Sequence, residues 1–295
     1  MSKELLSKIN DLYINGGTNI IDYLKSIKGN EQNSIEDILI SYDFQSGSYT
    51  KGYIDNPQAR DIYIDEVFQH ISTLEFNTLM ELGVGEATTL GLLMKKMPTI
   101  KEVYGLDLSW SRIKYANLFL QSLGLRTTNN LFTGDLFNIP LANDSIDLVY
   151  TNHSFEPNGG REKEALQEAY RVAKKYVVLI EPCYEIASLE GKRRMENLGY
   201  IQNLKGHIQD LGYKVILEEP IKSSLNKLNP SKIIIIKKKS NNESTGIFMC
   251  PITKTNLTRF KTCYYSEDGM LAYPILEGIP CLIKDNAVVA TKMMD

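Results

Sequence analysis

The sequence predicts an α/β protein: a doubly wound, mostly parallel sheet, preceded by a helical N-terminal region and followed by a small β-rich C-terminal module. Strand-like apolar runs alternate with amphipathic helical segments between residues 77 and 181. Before that stretch the apolar residues recur only at three- and four-residue spacings, the rhythm of helices. After residue 246 short β segments are cut by Pro and Gly.

In chain order, ELLSKINDLY, TNIIDYLKSI and SIEDILISY read as short amphipathic helices. YDFQSGSYTKGY, residues 42–53, reads as a Tyr- and Gly-rich break, and ARDIYIDEVFQHIS as a further helix. NTLMEL (77–82) is a strand ended by Gly83-Val84-Gly85, and EATTLGLLMKKM a helix closed by Pro98. KEVYGLD (101–107) is the second strand; the helix after it has Ser109 as its N-cap and Gly124 at its end. NNLFTGD, SIDLVYT and KYVVLIE supply three more strands, with REKEALQEAYRVAK as the helix before the last. A helical stretch runs to about Gly212. No helix fits between KVILEEP and SKIIIIKKK, so these two strands should pair antiparallel at the sheet edge. The lysines at 237–239 and the polar SNNESTG mark a linker. The expected units are 1–70, a helical region or lid; 71–240, the α/β domain; and 246–295, the β module.

Composition narrows the function. The chain has 295 residues, 43% hydrophobic and 23% charged, with a net charge of -3. That balance speaks against a nucleic-acid partner, which favours a basic face. Apolar runs are too short for a membrane span, no targeting signal is visible, and the four scattered cysteines include no CxxC. The expected protein is cytoplasmic, with reduced thiols; a homo-oligomer is compatible with the sequence.

In an open α/β sheet, ligands bind beyond the carboxyl ends of the strands, at the switch in strand order. The unusual residues fall at such ends. Glu81-Leu82-Gly83-Val84-Gly85 closes the first strand, and its glycines let the backbone approach a ligand. Asp107-Leu108 closes the second, where a carboxylate can accept both hydroxyls of a ribose. Gly134-Asp135-Leu136 closes the third, where a carboxylate can accept an adenine amino proton. Asn152-His153 closes the fourth. A dinucleotide-binding GxGxxG is broken at Thr88.

Together these residues resemble the class I S-adenosylmethionine-dependent methyltransferases. ELGVGEA resembles their (D/E)xGxGxG loop, with Ala87 at the third glycine. The resemblance covers about residues 77–238. It implies a Rossmann-like methyltransferase fold and S-adenosylmethionine as cofactor. It implies Glu81, Gly83, Gly85, Asp107, Leu108, Asp135, Leu136 and Asn152 as its binding residues. Methyl transfer asks the protein mainly to hold a nucleophile in line and exclude water. A hydroxyl nucleophile also needs a base. His153, with Glu156 close behind, is placed to be that base, to touch cofactor or substrate, or to serve structure alone. Asn158 and Arg161 are candidate substrate contacts, Arg161 for a carboxylate or phosphate. Tyr42 and Tyr49 are candidates on a mobile aromatic cover.

CPITKTNL and LAYPILEGIPCLI resemble a small zinc-ribbon-like module that activates some methyltransferases. The partner of Cys250 is Thr253, and Glu-Asp-Gly precedes LAYPI where a cysteine pair would stand, so no metal is expected. The loop HSFEPNGGRE and this module resemble methyltransferases of bacterial surface-polysaccharide and flagellin-sugar biosynthesis. That resemblance implies methyl transfer to an O or N of a small polar acceptor, even a nonulosonic sugar. A protein or tRNA docked through the module, or a non-catalytic cofactor-binding regulator, are the alternatives.

Overall fold

The computed structural model describes residues 3–16, 19–29, 32–125, 130–224, 226–240 and 246–295. Residues 241–245 of the expected linker lie outside the described residues. Five helices come first: α1 (Lys3–Asn15), α2 (Ile20–Lys28), α3 (Ile35–Phe44), α4 (Ser48–Asp55) and α5 (Pro57–Ile71). Local chemistry starts three of them. Asn19 caps α2 by accepting from the Ile21 and Asp22 amides, and Ser34 caps α3 through the Asp37 amide. Asn56 caps α5, with Pro57 in its first turn.

The α/β core runs β1 (Thr78–Leu82), α6 (Thr88–Lys96), β2 (Glu102–Asp107), α7 (Trp110–Ser122), β3 (Leu131–Thr133), β4 (Ile146–Asn152), α8 (Glu162–Val172) and β5 (Ala173–Pro182). It continues through α9 (Leu189–Asn197), α10 (Leu204–Asp210), β6 (Lys214–Pro220) and β7 (Ser231–Lys237). The seven strands stand in the order β3-β2-β1-β4-β5-β7-β6. β1 to β5 are parallel; β7 pairs antiparallel with both β5 and β6. β1 is buried throughout and Ile233 to Ile236 of β7 are all buried. Helices cover both sheet faces, so these strands read as continuous apolar runs rather than alternating ones. Strand order reverses between β1 and β4, and the crevice opens there.

The C-terminal module forms an antiparallel sheet of β8 (Thr258–Arg259), β9 (Cys263–Ser266), β10 (Leu271–Leu276) and β11 (Ile279–Pro280), with β12 (Val288–Val289) on β10. It does not build a core of its own. Cys250, Tyr264, Tyr273 and Leu282 share one buried cluster with Phe132, Leu136, Ile139 and Leu141 of the α/β domain. Phe248 meets Phe132 and Tyr264, ring centroids 5.1 Å apart in each case. Cys281 bridges parallel to Thr133, and the Leu282 amide donates to the Thr133 carbonyl at 2.9 Å. The module thus covers the exposed edge at β3, which would otherwise offer unpaired backbone groups. Asn138, on the loop after β3, donates to the Pro251 carbonyl at 3.1 Å, so that loop is braced from the module side.

All four cysteines are free. Among the described residues no cluster of His, Cys, Asp or Glu is arranged to hold a metal ion. No helix among them is long and apolar enough to cross a membrane.

Candidate active site

A cleft of about 1150 Å³ lies over the crevice between β1 and β4. Single small-molecule sites run to about 1,000 Å³, so this one has room for two ligands. One half is built from the ends of β1, β2 and β3, the other from the loop after β4, from α9 and from the loop before β7. Helices α1 to α3 cover it with Leu12, Tyr13, Ile20, Ile38 and Tyr42.

In the first half, the turn after β1 carries Gly83 and Gly85 at positive φ (68° and 53°). A Cβ on Gly83 would collide with Ser154, so only glycine lets the β1 and β4 loops cross at this point. Ala87 takes the same left-handed region (φ 55°), which explains why the resembling motif has a third glycine there. Asp107 lies across from this turn. Its Oδ2 accepts from the Gly85 amide and its Oδ1 from the Ser109 amide, both at 2.9 Å. Asp135 accepts from the Phe137 amide at 2.9 Å, and burial pushes its carboxyl up. Leu108 and Leu136 join Asp107 and Asp135 in the cleft wall.

Glu81 is enclosed beneath the turn, accepting from the Tyr150 hydroxyl at 2.7 Å. Burial pushes its carboxyl up to about 8, against the bonds from Tyr150 and the Leu90 amide. From about 4.5 to about 8 the unfolded chain has released this proton and the folded chain keeps it, so stability falls as pH rises through that window. Glu81→Gln keeps an acceptor for Tyr150 and removes the ionisation. Its melting temperature relative to wild type should therefore climb steadily across the window in thermal scans; a constant difference would show that Glu81 is ionised throughout.

In the second half, Asn152 is pinned by the Tyr63 hydroxyl and by Thr89, to which it donates at 2.8 Å. His153 sits at φ 56°, turned back so that its Nδ1 lies 2.7 Å from Glu156 Oε2 and its Nε2 2.9 Å from Ser231 Oγ. Burial opposes the imidazolium, yet the Glu156 carboxylate raises the His153 pKa above its ordinary 6.5. Burial likewise opposes the Glu156 carboxylate, but His153, Tyr200 and Asn229 hold it below the usual range. Asn229 donates to Glu156 at 3.0 Å, and Arg194 reaches the Tyr200 hydroxyl at 3.4 Å. A hydrogen-bonded chain therefore runs from Arg194 through Tyr200 and Glu156 to His153 and Ser231. The loop that carries it is fixed from below: Glu181 of β5 accepts from the Ser154, Phe155 and Glu156 amides.

Residues 80–180 match the family model described as a methyltransferase domain. The chain carries an S-adenosylmethionine-dependent methyltransferase domain. The fold agrees with solved structures. A chain from the Haloferax volcanii complex of the Trm112 methyltransferase activator with a methyltransferase is 16% identical, at TM-score 0.50. The match covers 65% of this chain and 94% of that one. A methyltransferase of Aquifex aeolicus is 18% identical over 63% of this chain and 95% of its own, at TM-score 0.47. Magnesium protoporphyrin IX methyltransferase of Synechocystis, solved with bound S-adenosylhomocysteine, is 14% identical over 79% and 99%, at TM-score 0.48. No curated protein matches the chain in sequence.

Several residues are placed differently from what the sequence predicts. Arg161, expected to meet a substrate anion, does not line the cleft. It pairs with Glu164 at 2.6 Å and stacks 3.5 Å from the Phe137 ring centroid. A carboxylate three residues on, at the start of α8, captures it locally. Asn158 does line the cleft, but its amide donates to the Ser154 and Phe155 carbonyls and serves the turn. Tyr42 and Tyr49 face the cleft and flank Arg112, whose guanidinium lies 5.0 and 4.7 Å from their ring centroids and 3.9 Å from Asp107. Most of the expected break at 42–53 is helix: α3 runs to Phe44 and α4 begins at Ser48.

Arg112, Arg194, Tyr200, Asn229 and Glu86 also line the cleft and Ser231 bonds His153, and none of them is expected from the sequence. Glu86 alone left a signal, an acid inside the glycine loop. Its carboxylate accepts from the Gly47, Tyr49 and Thr50 amides and the Thr50 hydroxyl, and so supplies the cap of α4 from outside that helix.

Proposed function

We propose that the enzyme transfers a methyl group to an oxygen or nitrogen of a small polar acceptor, a sugar of glycan biosynthesis being the type that fits. The observation that carries this is the second half of the cleft: a polar chain of side chains roofed by α1 to α3, beside the residues expected to hold the cofactor. A macromolecular acceptor would need this roof open.

The cofactor site suits S-adenosylmethionine. The close β1–β4 crossing at Gly83 and the carboxylates of Asp107 and Asp135 match a ligand with a ribose, an adenine and a positive sulfonium. When bound, it supplies a methyl group on a good leaving group. The protein then has to orient the acceptor and take its proton.

His153 is the proton acceptor in this reading. Its Nδ1–H is held by Glu156. The Ser231 hydroxyl on Nε2 has a second acceptor, the Asn229 carbonyl at 3.2 Å, so it can turn away and leave the Nε2 lone pair free. A hydroxyl acceptor would give its proton to Nε2 as it takes up the methyl group that bound S-adenosylmethionine would supply, leaving the neutral thioether behind. Glu156 and Glu181 face His153 and favour its proton, Arg60 disfavours it.

Label from methyl-labelled S-adenosylmethionine should pass into the small-molecule fraction of a cell extract, not into protein or tRNA; the reverse would sink this reading. On the acceptor so found, kcat/KM should rise with pH through an inflection above 6.5. Glu156→Gln removes the charge that holds the imidazolium proton, so the inflection should move to lower pH. His153→Ala should flatten the profile and cost about 100-fold or more. An unchanged profile in His153→Ala would remove His153 from the chemistry.

A further inference from the structure

Resting on the small-acceptor reading above, the geometry points to a carboxylate on the acceptor, bound by Arg194. The guanidinium is anchored but unspent. Nη2 bonds the Tyr200 hydroxyl, and the guanidinium carbon lies 5.4 Å from the centre of the Tyr200 ring. Nη1 is buried without a hydrogen-bond partner, and Arg194 lines the cleft. Among the described residues no carboxylate lies within ion-pair distance of it, unlike Arg161, Arg171 and Arg112; Arg60 and Arg193 of the cleft wall share that lack, but among the described arginines only Arg194 has a buried nitrogen without a partner. A buried, unpaired guanidinium donor is costly, and an anion brought by the ligand offsets that cost.

The neighbours say which anion. Glu156, held ionised by His153, joins Arg194 through Tyr200. A dianionic phosphate at that place would face the Glu156 charge, whereas a single carboxylate matches the one free Nη. Two other buried atoms of the cleft wall also lack partners, Asn229 Oδ1 and Ser154 Oγ. The Asn229 oxygen can only accept, so it suits a hydroxyl or amine of the same ligand. The acceptor is thus a polar acid with hydroxyl or amino groups set apart from its carboxylate.

The test uses the whole 295-residue chain and the small-molecule fraction of a cell extract, with methyl-labelled S-adenosylmethionine. One portion of the fraction is treated with phosphatase. A second has its carboxylates converted to neutral amides. The labelled product should bind an anion exchanger, survive phosphatase treatment and disappear after amidation. Arg194→Gln should lower kcat/KM about 100-fold, while its affinity for S-adenosylhomocysteine by calorimetry stays that of wild type. Arg161→Gln should leave turnover unchanged. A neutral product, a product lost to phosphatase, or wild-type turnover by Arg194→Gln overturns the proposal and leaves the small-acceptor reading intact. S-adenosylhomocysteine binding with no labelled small molecule overturns that reading and this proposal with it.

Discussion

Asp107→Asn should lower the affinity for S-adenosylhomocysteine about 100-fold in calorimetry, equivalent to about 2.7 kcal/mol. The reason lies in how both oxygens are used. Oδ2 accepts from the Gly85 amide and Oδ1 from the Ser109 amide, so one carboxylate fixes the turn after β1 relative to the start of α7. Asparagine has one acceptor oxygen and an NH2 group, which would face one of these amides donor to donor. Charge-assisted bonds of this kind contribute about 1.5–3 kcal/mol each. In the proposed binding mode the ribose hydroxyls lose the same charge. A loss confined to stability, with affinity unchanged once the protein is folded, would assign Asp107 to the turn alone.

The sheet was legible because its strands are buried on both faces and its helices are amphipathic, so sequence rhythm and burial carry the same information. The half of the cleft at the ends of β1, β2 and β3 was legible for a related reason. Each of its residues terminates a strand, and a strand end is a local feature. The second half was not. Arg194 and Tyr200 follow β5, while Asn229 and Ser231 come before and at the start of β7. Asn229 and Ser231 reach the His153–Glu156 pair because β7 inserts antiparallel beside β5, and Tyr200 reaches Glu156 from the segment after α9. No spacing in the chain announces that meeting. Arg161 shows the opposite failure. Its partner Glu164 was visible three residues away, and that local pair outcompetes a distant ligand. The Tyr- and Gly-rich stretch at 42–53 gave no helix signal because the cap of α4 is Glu86, far off in sequence.

Glu86→Ala should destabilise the protein by about 2–3 kcal/mol and loosen the cover over the cleft. Glu86 is almost fully buried, and its two oxygens accept from three amides and a hydroxyl at the start of α4. Losing an ordinary N-cap costs about 1 kcal/mol, and leaving buried amides unpaired adds to that. A second contact works in the reverse direction. Asp43 of α3 accepts from the Ser109 hydroxyl and from the Ser111 amide and hydroxyl at the start of α7. Each side therefore caps a helix of the other, and the Tyr42–Arg112–Tyr49 stack closes between them. Because Glu86 and Asp107 belong to the same loop assembly, opening the cover and releasing cofactor should be coupled. In Glu86→Ala, hydrogen exchange over residues 42–56 should accelerate, and S-adenosylhomocysteine should dissociate faster in stopped-flow. Exchange elsewhere in the sheet should stay close to wild type. Faster exchange throughout the chain would mean that Glu86 supports the fold as a whole, not the cover; an unchanged dissociation rate would uncouple the cover from the cofactor.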